Sequence, residues 1–588
     1  MLYEEYRRKI LKIANIKRIL RRFRALIIAA AALAVRAVLF IGWLSSPLRN
    51  FHLVPGLDMQ SLLRYGAWDT GAVRPLFSLH RVLIASIRLC CGAEHLVETL
   101  AVIQLLCGTA TAVLTAYAAF RLWGRRRAAL AAGLIAAFYA PAAMYELSML
   151  QETLQLFAFT ASLAGILRAR KHGFSLSYAL TAGALLGLAS CGRPTALLWV
   201  FAALAWCGYA AWRRGRLRRV GAVAGGVLAV WVLVSAFNWH FSEYYGPFFN
   251  VFGYSATVNA AAPAADQAVA AAPAPAVNSS PVAVLFRIGV NALSRLPNVF
   301  LAHEIPDNLN YYFIRDYFPE LKLLIGPGLL VPFALAGMVL AVVSGRFLKR
   351  DGVILLALFS LALPICANHP MGRYRLILLA PFALLAVEAV RIGFSRPRRR
   401  WGVIAVAVLA GAFLINPIPK GRFWRSSDFV AWALALEQPG GRVNAESLAT
   451  LVEGYRLSGS ESTAMNLLIR LIELREYDAA ERLIADALPG GRVNPSLLRY
   501  YGAMLKLERG DPAGAEVLLR QVEPARLDDL SVKYYFLCAE TALRQGKRDE
   551  ARQLYRRALA EPDFFGFRPM IEAALRKLDG SPAEPVEE

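Results

Sequence analysis

From Ala25 to Ile415 the sequence is a succession of long apolar runs separated by short clusters of arginine and lysine. A soluble core does not call for runs of that length, whereas a bilayer-crossing helix needs about 20 mostly apolar residues. The basic clusters are Arg7 to Arg24, Arg121 to Arg127, Arg168 to Lys171, Arg213 to Arg219, Arg346 to Arg350 and Arg391 to Arg400. They alternate with the runs in the positive-inside pattern, which fixes orientation. The net charge of +24, from 66 basic and 42 acidic residues, therefore reads as topology and not as a nucleic-acid surface.

The expected fold class is all-α: a polytopic membrane bundle of about 11 spans over residues 25–415, followed by a soluble helical-repeat domain. Met1 to Arg24 is basic and amphipathic and is expected on the cytoplasmic membrane surface. An odd number of spans puts the amino terminus in the cytoplasm and the carboxyl-terminal domain outside the inner membrane. The first apolar run lacks a small-residue cleavage site and reads as a signal anchor. Six of the seven cysteines lie in or beside apolar runs, with no spacing that suggests zinc or a disulfide framework.

Two outer loops stand out, residues 45–98 and 238–320; the second carries a flexible Ala/Pro insertion at about 260–281. Between the basic clusters, three intervals of about 40 residues have room for two spans and little more. Their midpoints are expected to turn at the outer surface. The first midpoint holds Glu146 and Glu152, the second Arg193, and the third His369, Arg373 and Arg375. After a linker at 416–440, residues 441–588 contain three near-repeats, in which Ala480, Ala515 and Ala551 recur and Gly510 pairs with Gly546. The spacing resembles tetratricopeptide repeats, whose period is about 34 residues.

Asp58, in the first outer loop, is the candidate general base, with Glu146 and Glu152 as further acidic candidates. Asp58 also fits the N-cap of a helix starting at Met59. Arg193 can equally mark the membrane boundary. Arg373 and Arg375 run against the positive-inside trend and so carry the most information. One carboxylate to deprotonate a hydroxyl, and arginines to hold a leaving phosphate, suit transfer from a phosphate-bearing lipid. Tyr65 and Trp68 are placed to line a sugar site, with Glu304, His369 and Tyr374 as further substrate contacts. No cofactor is required by the sequence, and a divalent metal is left open; His303 beside Glu304 is a pair, not a site.

These segments carry a resemblance. GLDMQSLLRYG, YELSMLQETL, GLASCGRPTALL, HEIPDNLNYYFIRDYFP and GRYRLILLAPFALLA look like the GT-C superfamily of integral-membrane glycosyltransferases. The branch is that of protein O-mannosyltransferases and aminoarabinose transferases, and the similarity covers about residues 25 to 415. It implies an essential acidic residue in the first outer loop, here Asp58, and an inverting reaction from a polyprenyl-phosphate sugar donor. The acceptor would be a glycan, a lipid or a protein, and the repeats would recruit a protein partner. Asp58 is followed by Met59, so the paired acidic motif of the mannosyltransferases is absent. Two rival readings are a transporter or flippase of lipid-linked sugars, expected to show inverted repeats and mid-span ionisable residues, and an inactive membrane-anchored scaffold.

Overall fold

The computed structural model describes residues 25–60, 78–192, 196–242, 281–346, 352–367, 372–395, 424–438, 440–527, 530–561 and 567–579, with a few positions between 401 and 408. Tyr65, Trp68, Arg193 and His369 lie outside the described residues, as do the basic amino-terminal segment and nearly all of the Ala/Pro insertion. Among the described residues the regular structure is helical, with one isolated β-bridge. They form two compact units that divide at Trp424.

Among the described residues of the first unit, four helices are long and apolar enough to cross a membrane: α1 (Ala25–Leu44), α3 (Leu96–Trp123), α9 (Leu217–His240) and α14 (Gly372–Gly393). Amphipathic α2 (Leu79–Cys91) precedes α3. The 28 residues of α3 rise about 42 Å, more than the roughly 30 Å hydrocarbon layer, and the helix ends where Gly124 turns left-handed at φ +69°. Leu26, Ile41, Leu233 and Val232 stay exposed on α1 and α9, as lipid-facing side chains do. Around these four pack α6 (Glu152–Lys171), α7 (Leu176–Gly192), α8 (Leu197–Trp212), α10 (Pro281–Val299), α12 (Pro327–Val343) and α13 (Gly352–Ala367). Helical α11 (Tyr311–Tyr317) follows α10, capped by the Asn310 side chain, which accepts from Tyr312 and Phe313 N–H. The expected count of about 11 spans is not confirmed: among the described residues four helices have full spanning length, and the shorter apolar helices of this unit have 16 or 17 residues.

The third run differs most from expectation. It breaks into α4 (Arg126–Ala137) and α5 (Ala140–Glu146), with Tyr139 extended between them. The freed backbone groups are met across the chain: Ile325 N–H donates to Phe138 O at 2.7 Å, and Ala140 N–H donates to Ile325 O at 2.9 Å. Inside a bilayer such a break is tolerated only where the backbone is satisfied within the protein. The sequence α5 to α6 is consequently folded inward. Glu146 and Glu152, expected on a surface turn, are 1% and 3% exposed.

The second unit is a succession of helices, each packed on the next: α15 (Ser426–Leu436), α16 (Ala445–Ser458), α17 (Glu461–Glu473), α18 (Tyr477–Ala487), α19 (Pro495–Glu508), α20 (Pro512–Leu519), α21 (Ser531–Arg544), α22 (Arg548–Ala560) and α23 (Arg568–Leu578). Ala480, Ala515 and Ala551 are all fully buried where helices of a pair cross, so a larger side chain would push the pair apart. The turns before them use left-handed backbone at Gly510 (φ +78°) and Gly546 (φ +81°). In the copy without glycine, Arg475 takes that conformation at φ +60°. Helix α15 lies inside the stretch expected as linker. Its Phe429 and Trp432 are buried, and Phe429 packs on Gly454 of α16.

Candidate active site

The first turn of α14 carries Gly372, Arg373, Tyr374 and Arg375, and two other segments converge on it. One is the end of the 3-10 turn Pro47–Leu53 and the residues that follow it, up to Asp58. The other is the loop from Leu301 to Asn310. Gly372 permits the close approach: its N–H donates to Ile305 O at 2.9 Å, and a Cβ there would lie 2.6 Å from the Glu304 carboxylate.

Arg373 is the centre. Its guanidinium makes ion pairs with Asp58 and with Asp307, donates to the Tyr374 hydroxyl at 2.9 Å, and stacks near the Tyr374 ring at 4.8 Å. Glu152 lies within electrostatic reach of the same guanidinium, and Tyr145 within reach of Glu152, Glu304, Asp307 and Arg373. The Asp58 side chain is 48% exposed, whereas Arg373 and Asp307 are each 13% exposed. Asp58 is thus the open end of a half-buried chain of charges. Its carboxylate meets a guanidinium 315 positions away, not a backbone N–H of the described residues.

Arg375 is used differently. It is 4% exposed and donates to the backbone carbonyls of His303 and Leu301, each at 2.6 Å, with Glu304 at 3.9 Å. That makes it a clamp on the loop bearing Glu304 and Asp307. Glu304 accepts from the Tyr139 hydroxyl at 3.0 Å, and its own N–H donates to Tyr312 Oη at 3.0 Å. Burial pushes the Glu304 carboxyl above its ordinary range, against the opposing pull of Arg375 and of the Tyr139 hydrogen bond. Tyr139 is the extended residue between α4 and α5, so the helix break delivers its hydroxyl to this loop.

The structure therefore brings Asp58, Glu152, Glu304, Arg373, Tyr374 and Arg375 together and adds Asp307, Tyr139 and Tyr145. Glu146 stands apart. It pairs at 2.6 Å with Arg36, the twelfth residue of α1, and both side chains are 2% exposed. Arg36 also donates to Ala32 O and Ala137 O at 3.2 Å, and Gly108 leaves the space that the Glu146 carboxylate fills. Among the described residues no group of three or more His, Cys, Asp and Glu side chains is arranged to hold a metal ion. The acids here are matched to guanidinium and phenol groups instead.

No family model matches the chain, and no curated protein does. Among solved structures it is similar to the Archaeoglobus fulgidus oligosaccharyltransferase in complex with zinc and sulfate. The identity is 13% and the TM-score 0.33, over 71% of this chain and 56% of that one. A second structure of that enzyme, tethered to an acceptor peptide containing the NVT sequon, aligns at 12% identity and a TM-score of 0.31, over 72% and 57%. The chain spans a little over half the length of that protein, and a likeness this distant carries no argument about fold or function.

Proposed function

We propose that the protein is a membrane glycosyltransferase that moves a sugar, with inversion, from a polyprenyl-phosphate donor to an acceptor hydroxyl at the outer face of the membrane. The observation that carries this reading is the joined pair of a half-exposed carboxylate, Asp58, and a largely buried guanidinium, Arg373. A donor phosphate entering the site competes with Asp58 for Arg373. The exchange leaves the phosphate held by the guanidinium and Asp58 free to accept the proton of the attacking hydroxyl. The hydroxyl oxygen then bonds to the anomeric carbon as the carbon–phosphate oxygen bond breaks, and the polyprenyl phosphate leaves with the bonding pair. Arg375 and Tyr139 act by holding the Glu304–Asp307 loop, and Glu152 and Asp307 fix the position of Arg373. Arg193, Tyr65, Trp68 and His369 are further candidates for the donor and sugar contacts. The second unit, read as tetratricopeptide-like, would recruit the acceptor or a protein partner.

This exchange separates binding from turnover. Asp58→Asn removes the competitor for Arg373 and the base together. Donor affinity in the variant should be unchanged or tighter, while transfer falls by about 10²–10⁴. Asn caps a helix about as well as Asp, so near-normal turnover in folded Asp58→Asn protein would show that Asp58 is only a cap. Arg373→Lys keeps the charge but loses the two-pronged hydrogen bonding, and should weaken donor binding.

One observation favours a second reading, lipid-linked sugar transport: Arg36, at the middle of α1, and Glu146, the last residue of α5, are ionisable groups buried inside the bundle, where such residues often mark a pathway. Purified protein in vesicles that equilibrates a labelled lipid-linked sugar between leaflets, with no acceptor present, would establish transport and displace the transferase reading.

A further inference from the structure

One cavity of the first unit is lined by none of the residues of the acidic site. It is a cleft of about 1050 Å³ between α4, α12 and α14. Its walls are apolar, with Ala131, Leu329, Phe333 and Val390 facing the space. Leu329 is 57% exposed there, and Ala131 is small enough to leave the cleft open. One end is strongly basic: Arg125, Arg126 and Arg127 all line it, and none has an acidic partner among the described residues. Arg391 lies at the same end, but it is committed to Glu388, which also takes Arg346 at 3.1 Å. The acid at that end is thus already shared by two guanidiniums. The 12 residues of α4 set the basic end about 18 Å from Phe138 and the helix break that serves the acidic site.

An apolar slot as long as a short helix, closed at one end by three uncompensated guanidiniums, fits one class of molecule in a bilayer. We propose that this cleft binds an anionic diacyl phospholipid. Its acyl chains lie along α12 and α14, and its phosphate is held by Arg125, Arg126 and Arg127. The lipid comes from the leaflet facing away from the acidic site and is separate from any sugar donor. Arginine suits the task because its planar fork meets phosphate oxygens in pairs.

The test uses the full-length protein, delipidated in a neutral detergent and titrated with phosphatidylglycerol, phosphatidylcholine, inorganic phosphate or a polyprenyl phosphate. Native mass spectrometry counts bound lipid, and thermal unfolding reads the stabilisation. One phosphatidylglycerol should bind and raise the unfolding midpoint, while phosphatidylcholine binds at least tenfold more weakly. The double variant Arg125→Gln/Arg126→Gln should lose that preference at least tenfold, and Arg125→Lys/Arg126→Lys should keep most of it. Ala131→Phe, which fills the slot without changing charge, should also prevent binding. Equal response to the two phospholipids would overturn the proposal, as would a full response to inorganic phosphate alone. Competitive displacement of phosphatidylglycerol by polyprenyl phosphate would assign the cleft to a donor tail and likewise overturn it. The wild-type titration decides the matter even if a variant fails to fold.

Discussion

The buried pair of Arg36 and Glu146 gives the sharpest quantitative forecast. Each side chain is 2% exposed, and the two are joined at 2.6 Å within a helical bundle. Removing one partner leaves the other charged, desolvated and unopposed, which costs about 3–5 kcal/mol. Arg36→Met and Glu146→Met should each fall in that range. The double variant removes both charges at once and replaces them with apolar volume, a change that is often neutral or stabilising by about 1–4 kcal/mol. It also takes a donor from Ala137 O, a group at the end of α4, at a cost of about 1–3 kcal/mol if no water replaces it. The double variant should therefore be more stable than either single variant, with a coupling of roughly 3 kcal/mol or more. Equilibrium unfolding in mixed micelles, followed by tryptophan fluorescence, measures all four proteins. If each single variant costs under about 1 kcal/mol, or the double variant costs the sum of the two, the pair is not the desolvated ion pair described here.

Four further outcomes are expected. Gly372→Ala should reduce transfer without unfolding the protein, because its methyl group would push Glu304 and the loop carbonyl of Ile305 away from Arg373; unchanged activity would show that the loop yields freely. The Glu304 carboxyl is raised by burial, so the folded state binds its proton more tightly than the unfolded chain. The associated stability is complete below the ordinary carboxylate range and is lost as pH rises through the folded value. Glu304→Gln should accordingly gain stability relative to wild type as pH rises through that window, as read by thermal unfolding across a pH series; a constant difference would contradict the shift. In the second unit, Arg475→Gly should add about 1 kcal/mol by relieving a left-handed non-glycine residue, and a destabilised variant would show that the arginine side chain matters more than its backbone. A fragment starting at Arg425 should unfold cooperatively, and one starting at Gly441 should be weaker by several kcal/mol, since it loses buried Phe429 and Trp432; equal midpoints would separate α15 from that core.

The sequence made the helical class, the basic clusters and the repeat spacing readable because each is a local pattern. Ala480, Ala515 and Ala551 announced the helix crossings through their period alone. Asp58 and Arg373 were legible as charges out of place, although nothing in the sequence joined them. What escaped was long-range partnership. Asp307 looked like one acid among several in a polar loop, and Tyr139 looked like an aromatic inside an apolar run, until the break between α4 and α5 turned its hydroxyl toward Glu304. The assignment of Glu146 to the outer surface assumed an unbroken span after Arg127. Arg36 did carry a signal, a lone charge deep in an apolar run, and it points to the correct partner only once α5 is seen to fold inward.

The span of sequence between Asp58 and Arg373 has a consequence for biosynthesis. With 315 positions between them, a ribosome adding roughly 5–20 residues per second needs about 15–60 s after making the first to supply the second. During that interval Asp58 is already at the membrane while the guanidinium that neutralises it does not yet exist. The carboxylate must remain hydrated or be shielded by other means, and the loop from Leu301 to Asn310 waits in the same way for its Arg375 clamp. The candidate site is thus assembled late, by the arrival of α14, and a nascent chain arrested before Gly372 should be inserted in the membrane yet unable to close it.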